Sequence, residues 1–411
     1  MAAAIWKGIE PDRQNRPSPR RITVVSVPEQ VWIPLTAETP EEGLLLTGGR
    51  KVIRFQPVCI PETQLPSYSP VCGEVLRFET VPHPLQGALR CAVTEVAPRQ
   101  KALRGIPPAA EGIPGAEMIL RVAGSAAILE ELSGEPLYDT LKGMQTDGVE
   151  CLAAAAFDED PYSSAEEAAF SCDTEAALDG LALAAAAIGA KTMRVICPGE
   201  TGRRKLRGES ASLWQDAGTR YPVWPLLSQK PAFQHAGIIG IQACIALSDA
   251  VRAGVPQTDT VISVSGEGVP EPKNVKVLIG TPVRAVLEAC GLGIRSREFT
   301  VVMGSSWNGA AVQDLSVPVT AVTRSLLVLP VGKKRETRAC IGCGACERAC
   351  PAGLALWRAA ELFQRKRPPK ALLDAWEQRC LGCNTCTFGC PAGLGMPLLF
   401  AERRQKEADA G

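Results

Sequence analysis

The chain has 411 residues, with 44 Lys or Arg balanced by 44 Asp or Glu and a hydrophobic fraction of 46%. That length exceeds one ordinary core and predicts about three domains, while the balanced charge excludes the basic footprint of a nucleic-acid-binding protein. Two histidines leave little room for imidazole chemistry: His83, between two prolines, and His235, ahead of an apolar run, suit turn, surface or packing roles.

Residues 1–22 are polar and Arg-rich and predict an extended arm laid on the body. The opening Met-Ala-Ala-Ala-Ile-Trp-Lys lacks the apolar core of a signal peptide. Residues 23–104 carry short β-branched runs between Pro and Gly turns (22–27, 31–33, 51–55, 73–78 and 90–96), which predicts a small all-β module with a barrel-sandwich-like hairpin at 69–75. No lysine stands there for a lipoyl group.

A Pro- and Gly-rich linker at 105–115 opens residues 105–271, where helical patterns (118–127, 164–170, 174–187) alternate with strand-like runs (192–197, 260–265), an α/β arrangement. Its weakly polar runs 181–190 and 236–247 are shorter than the roughly 20 residues that span a bilayer, so buried helices and no membrane span are expected. Glu150, Asp158 and Glu159 are candidates for a polar cofactor pocket, against the plainer reading of a solvated acidic loop. Residues 272–331 predict a compact α+β unit. Eight scattered cysteines (Cys59, Cys72, Cys91, Cys151, Cys172, Cys197, Cys244, Cys290) lack ligand spacing and read as small buried apolar groups.

Residues 332–411 carry the most specific pattern. Cys340, Cys343, Cys346 and Cys350 precede Pro351, and Cys380, Cys383, Cys386 and Cys390 precede Pro391, each with C-x2-C-x2-C-x3-C-P spacing. A [4Fe-4S] core takes three thiolates from a tight loop and a fourth from elsewhere, and in two-cluster ferredoxins the fourth comes from the other run. One cluster is therefore expected on Cys340, Cys343, Cys346 and Cys390, and the other on Cys380, Cys383, Cys386 and Cys350. Zinc prefers two ligand pairs with a longer insert, and disulfides need an oxidising compartment; both remain rival readings. Cys-Pro-Ala-Gly-Leu closes both runs, the mark of a duplication. Between them, Leu356, Ala359, Ala360 and Phe363 predict an amphipathic helix ended by Pro368-Pro369, and a second helix through Leu372, Leu373 and Trp376 completes a hairpin. From Lys333 onward 14 Lys or Arg face 8 Asp or Glu, a basic excess that offsets cluster charge, with the knot Arg365-Lys366-Arg367 open to an acidic partner.

Taken together, the order of elements resembles the C subunit of the Rnf-type ion-translocating electron-transport complex and its relatives, among them cobalamin-reductase and proline-reductase-associated electron carriers. The resemblance rests on Trp6-Lys7-Gly8-Ile9-Glu10-Pro11, Val31-Trp32-Ile33-Pro34-Leu35, Gly148-Val149-Glu150-Cys151, Gly254-Val255-Pro256, the Asn274-to-Pro282 stretch and the two cysteine runs. It implies a complex I 51-kDa-like α/β domain holding FMN and oxidising NADH, an SLBB-like β-grasp domain at 272–331, and a helical two-cluster ferredoxin domain.

The family's Gly-Gly-x-x-Phe-Pro flavin loop is replaced here by Ser125-Ala126-Ala127-Ile128-Leu129-Glu130-Glu131, and its Tyr-Pro-x-Gly-x-Glu element survives as Tyr221-Pro222 alone. A flavin phosphate needs bare backbone N–H groups or cations, so the expectation is a chain without stoichiometric FMN and without NADH oxidation. No catalytic residue is assigned, and Glu150, Asp158 and Glu159 remain as the vestige of a flavin or nucleotide pocket. The expected function is single-electron relay through two [4Fe-4S] clusters between donor and acceptor proteins, including membrane electron-transport subunits. The expected setting is the cytoplasm, with any contact with the membrane face made through those partners. The alternatives are an active FMN-dependent NADH dehydrogenase subunit and a non-redox docking scaffold with structural clusters.

Overall fold

The computed structural model describes residues 7–12, 14–35, 43–62, 65–103, 105–106, 112–293, 298–331, 336–363, 370–395, 397, 399–401 and 403. Trp6, residues 107–111 of the linker, the basic knot 365–367 and Pro368-Pro369 lie outside these residues. The chain divides into two compact units: Met1–Asp12 with Gly218–Gln234 and Gly332–Gly411, and Arg13–Ala217 with His235–Val331.

The larger unit is built on three main sheets. Near its start, Gln30–Pro34, Gly87–Val96, Gly73–His83 and Lys51–Val52 form an antiparallel four-stranded sheet in that order. Alternation along Gln30–Pro34 turns Val31 and Ile33 inward onto Val52, Val58, Val75 and Ala92. His83 ends the long strand, and its Nε2 donates to the Pro318 carbonyl at 3.1 Å, a packed and buried position rather than a turn.

The second sheet is parallel, in the order Trp214–Asp216, Thr192–Cys197, Cys151–Ala155 and Ala236–Gly240. Every residue of Cys151–Ala155 is buried, as a parallel strand covered on both faces requires. Thr174–Ile188 and Ile241–Ala253 pack closely, and Gly180 makes that approach possible: a Cβ there would overlap the carbonyl of Cys244. The 236–247 run, expected as one buried helix, is a strand to Gly240 followed by a helix, because Gly240 takes an extended backbone ahead of Ile241.

The third sheet has six strands, ordered Ile22–Val24, Lys273–Leu278, Asp259–Ser265, Ser325–Pro330, Phe299–Met303 and Ala310–Ala311. Two strands depart from their expected company. Ile22–Val24, expected in the β module, runs parallel to Lys273–Leu278, with Ile22 opposite Asn274. Asp259–Ser265, expected with the α/β elements, pairs antiparallel with Lys273–Leu278 and parallel with Ser325–Pro330. Both choices are made by long-range ladder pairing, which a local pattern of apolar residues does not specify. Residues 14–20 lie extended along this unit, as expected of the arm: Asn15 donates to the carbonyls of Gly266 and Val269, and Asn274 donates to Ser18. Of the scattered cysteines, Cys172 is exposed and the other seven are buried.

In the smaller unit, short helices Ala345–Ala349 and Thr385–Gly389 each carry the third cysteine of a run, and Leu356–Phe363 and Lys370–Arg379 form the two helices expected between the runs. Cys350, Leu354, Leu356, Ala359, Cys386 and Phe400 make its buried core. Among the described residues, no helix is long and apolar enough to cross a membrane.

Candidate functional site

The two cysteine loops share one backbone. Gly342 and Gly382 have φ of 66° and 64°, Gly344 and Asn384 have 69° and 59°, and Gly353 and Gly393 have 66° and 73°. These left-handed positions favour residues without a bulky Cβ, and at 384 an Asn takes the place of glycine. Each loop then enters a five-residue helix carrying its third cysteine and leaves it at its fourth, with Gly353 N donating to Cys350 O at 3.0 Å and Gly393 N to Cys390 O at 3.1 Å.

Two cavities lie beside these loops, and each draws cysteines from both runs. One is lined by Cys380, Cys383 and Cys386 together with Cys350. The other is lined by Cys340, Cys346 and Cys390, with Cys386 on the wall common to both. Cys343 is exposed on its loop and is not part of that lining; its carbonyl accepts from Arg348 at 3.1 Å. Leu356 contributes to both cavities, while Trp357, Leu394 and Leu399 give the second an apolar wall.

The electrostatics follow the same crossed pattern. Burial pushes the Cys346 thiol up, opposed by nearby backbone N–H groups, and Cys390 of the other run pushes it up further. Burial likewise raises Cys380, and both Cys383 and Cys350 add to the rise. Thiols grouped closely enough to resist ionising together are thiols that a cation would draw into the thiolate form, since metal binding releases their protons. Backbone and hydroxyl groups already face sulfur: Gly342 N donates to Cys340 Sγ at 3.4 Å, and Thr385 Oγ1 lies 3.4 Å from Cys383 Sγ. Soft sulfur donors around two apolar-walled cavities fit iron–sulfur clusters. Among the described residues, no three His, Cys, Asp or Glu side chains converge on a single-ion position.

The carboxylates expected to group in the α/β region do not all meet. Glu150 precedes the strand Cys151–Ala155 and Asp158 follows it, placing them at opposite ends of an extended segment. Glu150 is exposed and pairs with Lys191 at 2.6 Å, which holds its carboxyl below the usual range. Asp158 is instead a structural acceptor, taking the Ser163 hydroxyl at 2.7 Å and the backbone N–H groups of Glu166 and Glu167. Neither it nor the partly buried Glu159 forms a solvated acidic loop; both act electrostatically on Arg324, alongside Glu166 and Glu131.

The loop standing where the resemblance places flavin is filled from within. Glu131 accepts from the N–H groups of Gln242 at 2.7 Å and Ala243 at 3.0 Å, at the start of the Ile241–Ala253 helix, and Glu130 accepts from Gly240 N at 2.7 Å. These are the unpaired donors of a helix N-terminus, the groups an external phosphate would otherwise use. A Cβ at residue 240 would collide with the Glu131 carboxyl. Gln242 completes the network by donating to Glu166 and to Val261 O and accepting from Val261 N.

Tyr221, read from the sequence as the remnant of a flavin element, belongs to the smaller unit. Its hydroxyl donates to the carbonyl of Cys383 at 2.7 Å, and its backbone pairs with Ile9 in both directions. The sequence held a signal for this placement only in hindsight, since nothing local links residue 221 to a cysteine loop 162 positions away.

Comparison with known proteins finds relatives for the cysteine runs and for most of the chain. The 4Fe-4S dicluster domain family matches residues 339–394. The chain is 27% identical over 376 residues to the C subunit of the ion-translocating oxidoreductase complex of Pectobacterium atrosepticum, a match covering 84% of this chain and 53% of that protein. It is 31% identical over 151 residues to the C subunit of the proton-translocating ferredoxin:NAD(+) oxidoreductase complex of Clostridium ljungdahlii, covering 35% of this chain and 33% of that one. The chain thus spans about half the length of the curated relatives it matches most extensively. Among solved structures, an NAD+-reducing [NiFe]-hydrogenase in its H2-reduced state aligns with a TM-score of 0.45 at 15% identity, over 73% of this chain and 64% of that one. The similarity to Rnf-type C subunits is the one that the arm, the Asn274-to-Pro282 stretch and the cysteine runs imply.

Proposed function

We propose that this chain is an iron–sulfur electron-transfer subunit, similar in role to the C subunits it resembles, that relays single electrons between a donor protein and an acceptor oxidoreductase or membrane electron-transport complex. Cys340, Cys343, Cys346 and Cys390 would hold one [4Fe-4S] cluster, and Cys380, Cys383, Cys386 and Cys350 the other. The observation that carries this reading is the crossed origin of each cavity's cysteines. Each cluster, when bound, supplies a one-electron centre; the chain's part is to hold the thiolates, present N–H groups to sulfur and limit water with Leu356, Trp357 and Leu399. The shared wall at Cys386 keeps the two sites adjacent, as a relay needs.

In this reading residues 23–104 are a barrel-sandwich-like module, 105–271 a complex I 51-kDa-like domain, 272–331 an SLBB-like β-grasp domain and 332–411 a two-cluster ferredoxin-like domain. The 51-kDa-like domain is taken to work without FMN, because Glu130 and Glu131 consume the N–H donors at the Ile241–Ala253 helix start. Attachment to a membrane would come through partner subunits. Anaerobic reconstitution followed by iron and sulfide analysis tests the proposal: close to eight of each per chain, reducible by dithionite, is expected. Tightly bound zinc without labile sulfide would refute it.

A further inference from the structure

The smaller unit treats its two crossed cysteine sets unequally. Around the loop set of Cys350 and Cys383, groups from two distant segments donate to the main-chain carbonyls: Lys7 Nζ to Pro351 at 3.2 Å, Gln229 Nε2 to Pro351 at 3.3 Å, Gly8 N to Ala349 at 3.0 Å and Tyr221 Oη to Cys383 at 2.7 Å. Arg220 fixes the collar by donating to the carbonyls of Lys7 and Gly8, both at 2.9 Å. At the corresponding place in the first loop, the Cys343 carbonyl is met by Arg348 of its own run. Exposure differs in step. Cys340 and Cys343 are exposed, whereas Cys380 and Cys383 are half-buried and Tyr221 is buried.

We propose that Lys7 and Tyr221 are positioning residues for the centre held by Cys380, Cys383, Cys386 and Cys350, and that they tune its reduction potential without affecting the Cys340 centre. The inference rests on the cluster reading above. Reduction adds negative charge to a cluster, and its potential follows the net charge, hydrogen bonding and solvent exposure around it. Lys7 brings an ammonium group to the carbonyl following Cys350, and Tyr221 directs an O–H dipole at Cys383. A positive charge and a donor dipole on carbonyls beside two of the ligating cysteines favour the more negative, reduced form. Arg220 and the Ile9 pairing hold these groups in place, so the collar is a fixed electrostatic element.

Redox titration followed by electron paramagnetic resonance tests this on the whole chain. Lys7→Gln is expected to lower one of the two midpoints, so that the reduced-to-oxidised ratio of that centre at a fixed potential falls about three- to tenfold, tenfold being about 59 mV for one electron. Lys7→Arg restores it, and Tyr221→Phe gives a smaller shift of the same sign. In Cys340→Ala protein, which keeps the Cys380 centre, the Lys7→Gln shift should persist; in Cys350→Ala protein it should vanish. Equal shifts at both centres, or none at either, would overturn the inference while leaving the two-cluster reading intact. A chain without labile sulfide before any substitution overturns both.

Discussion

The Glu131 carboxyl accepts from the backbone N–H of Gln242 at 2.7 Å, bridging 111 positions of sequence to close the first turn of the Ile241–Ala253 helix. Titration calorimetry with FMN is therefore expected to show no one-to-one binding. Glu131→Ala leaves the N–H groups of Gln242 and Ala243 buried without a partner and should cost about 1–3 kcal/mol in denaturant unfolding. Glu131→Gln, which retains an acceptor oxygen, should cost less. Micromolar FMN binding by the unsubstituted chain would contradict the role given to this loop.

The crossed cysteine sets make a sharp prediction about single substitutions. Cys350→Ala should remove the centre that shares its cavity, on Cys380, Cys383 and Cys386, and leave close to four iron atoms on the other set. Selective loss of the Cys340 centre instead, seen in the resonance spectrum, would mean that pairing is local to each run.

Stability should fall as pH rises through neutrality. Burial pushes the Glu166 carboxyl up to about 7 against the pull of Arg324, whereas an unfolded Glu loses its proton near about 4.3. Between these values the folded chain binds more protons than the unfolded one, so the unfolding free energy decreases with rising pH, and the buried Glu131 carboxyl, also raised by burial, adds a slope of the same sign. Urea unfolding at several pH values between about 5 and 8 should show that slope, and Glu166→Gln should reduce it.

Gly180 offers a test of helix packing. An Ala for Gly exchange inside a helix ordinarily gains up to about 1 kcal/mol. Here the new methyl would meet the Cys244 carbonyl, so Gly180→Ala should instead destabilise by about 1–3 kcal/mol through overpacking. Gly143, whose Cβ position is open, provides the control and should show the ordinary gain.

Much of the cysteine-loop region is legible from spacing because the pattern is local: Cys340 to Cys350 and Cys380 to Cys390 each fall within one loop and one turn of helix. The helical hairpin between them follows from the same kind of short-range pattern, with Leu356, Ala359 and Leu373 buried where periodicity puts them. Other features depend on distant partners. The strand preference of Ile22–Val24 is readable, but its ladder with Lys273–Leu278 depends on residues about 250 positions away. Glu130 and Glu131 read correctly as additions to a loop that lacks glycine, yet their occupation of a helix start is fixed only by folding. Glu150 and Asp158 look like neighbours because eight positions separate them, and the extended strand between them sends them to opposite ends. Tyr221 lies beyond any local inference.

The collar around Cys350 and Cys383 also has a bearing on how the protein is made. Lys7 and Pro351 are 344 positions apart, and Tyr221 and Cys383 are 162 apart, so the smaller unit is assembled from three separate lengths of chain. A nascent polypeptide stalled before the second cysteine run already carries Ala349, Pro351 and the Ile9–Tyr221 pairing, but lacks the Cys383 carbonyl that receives the Tyr221 hydroxyl. Closing such long loops is entropically costly until the final contacts reward it. The Tyr221–Cys383 bond is thus the last link of the collar to become available as the chain is made. A released 332–411 fragment keeps all eight cysteines of the two runs while losing the arm and the 218–234 segment that complete the unit.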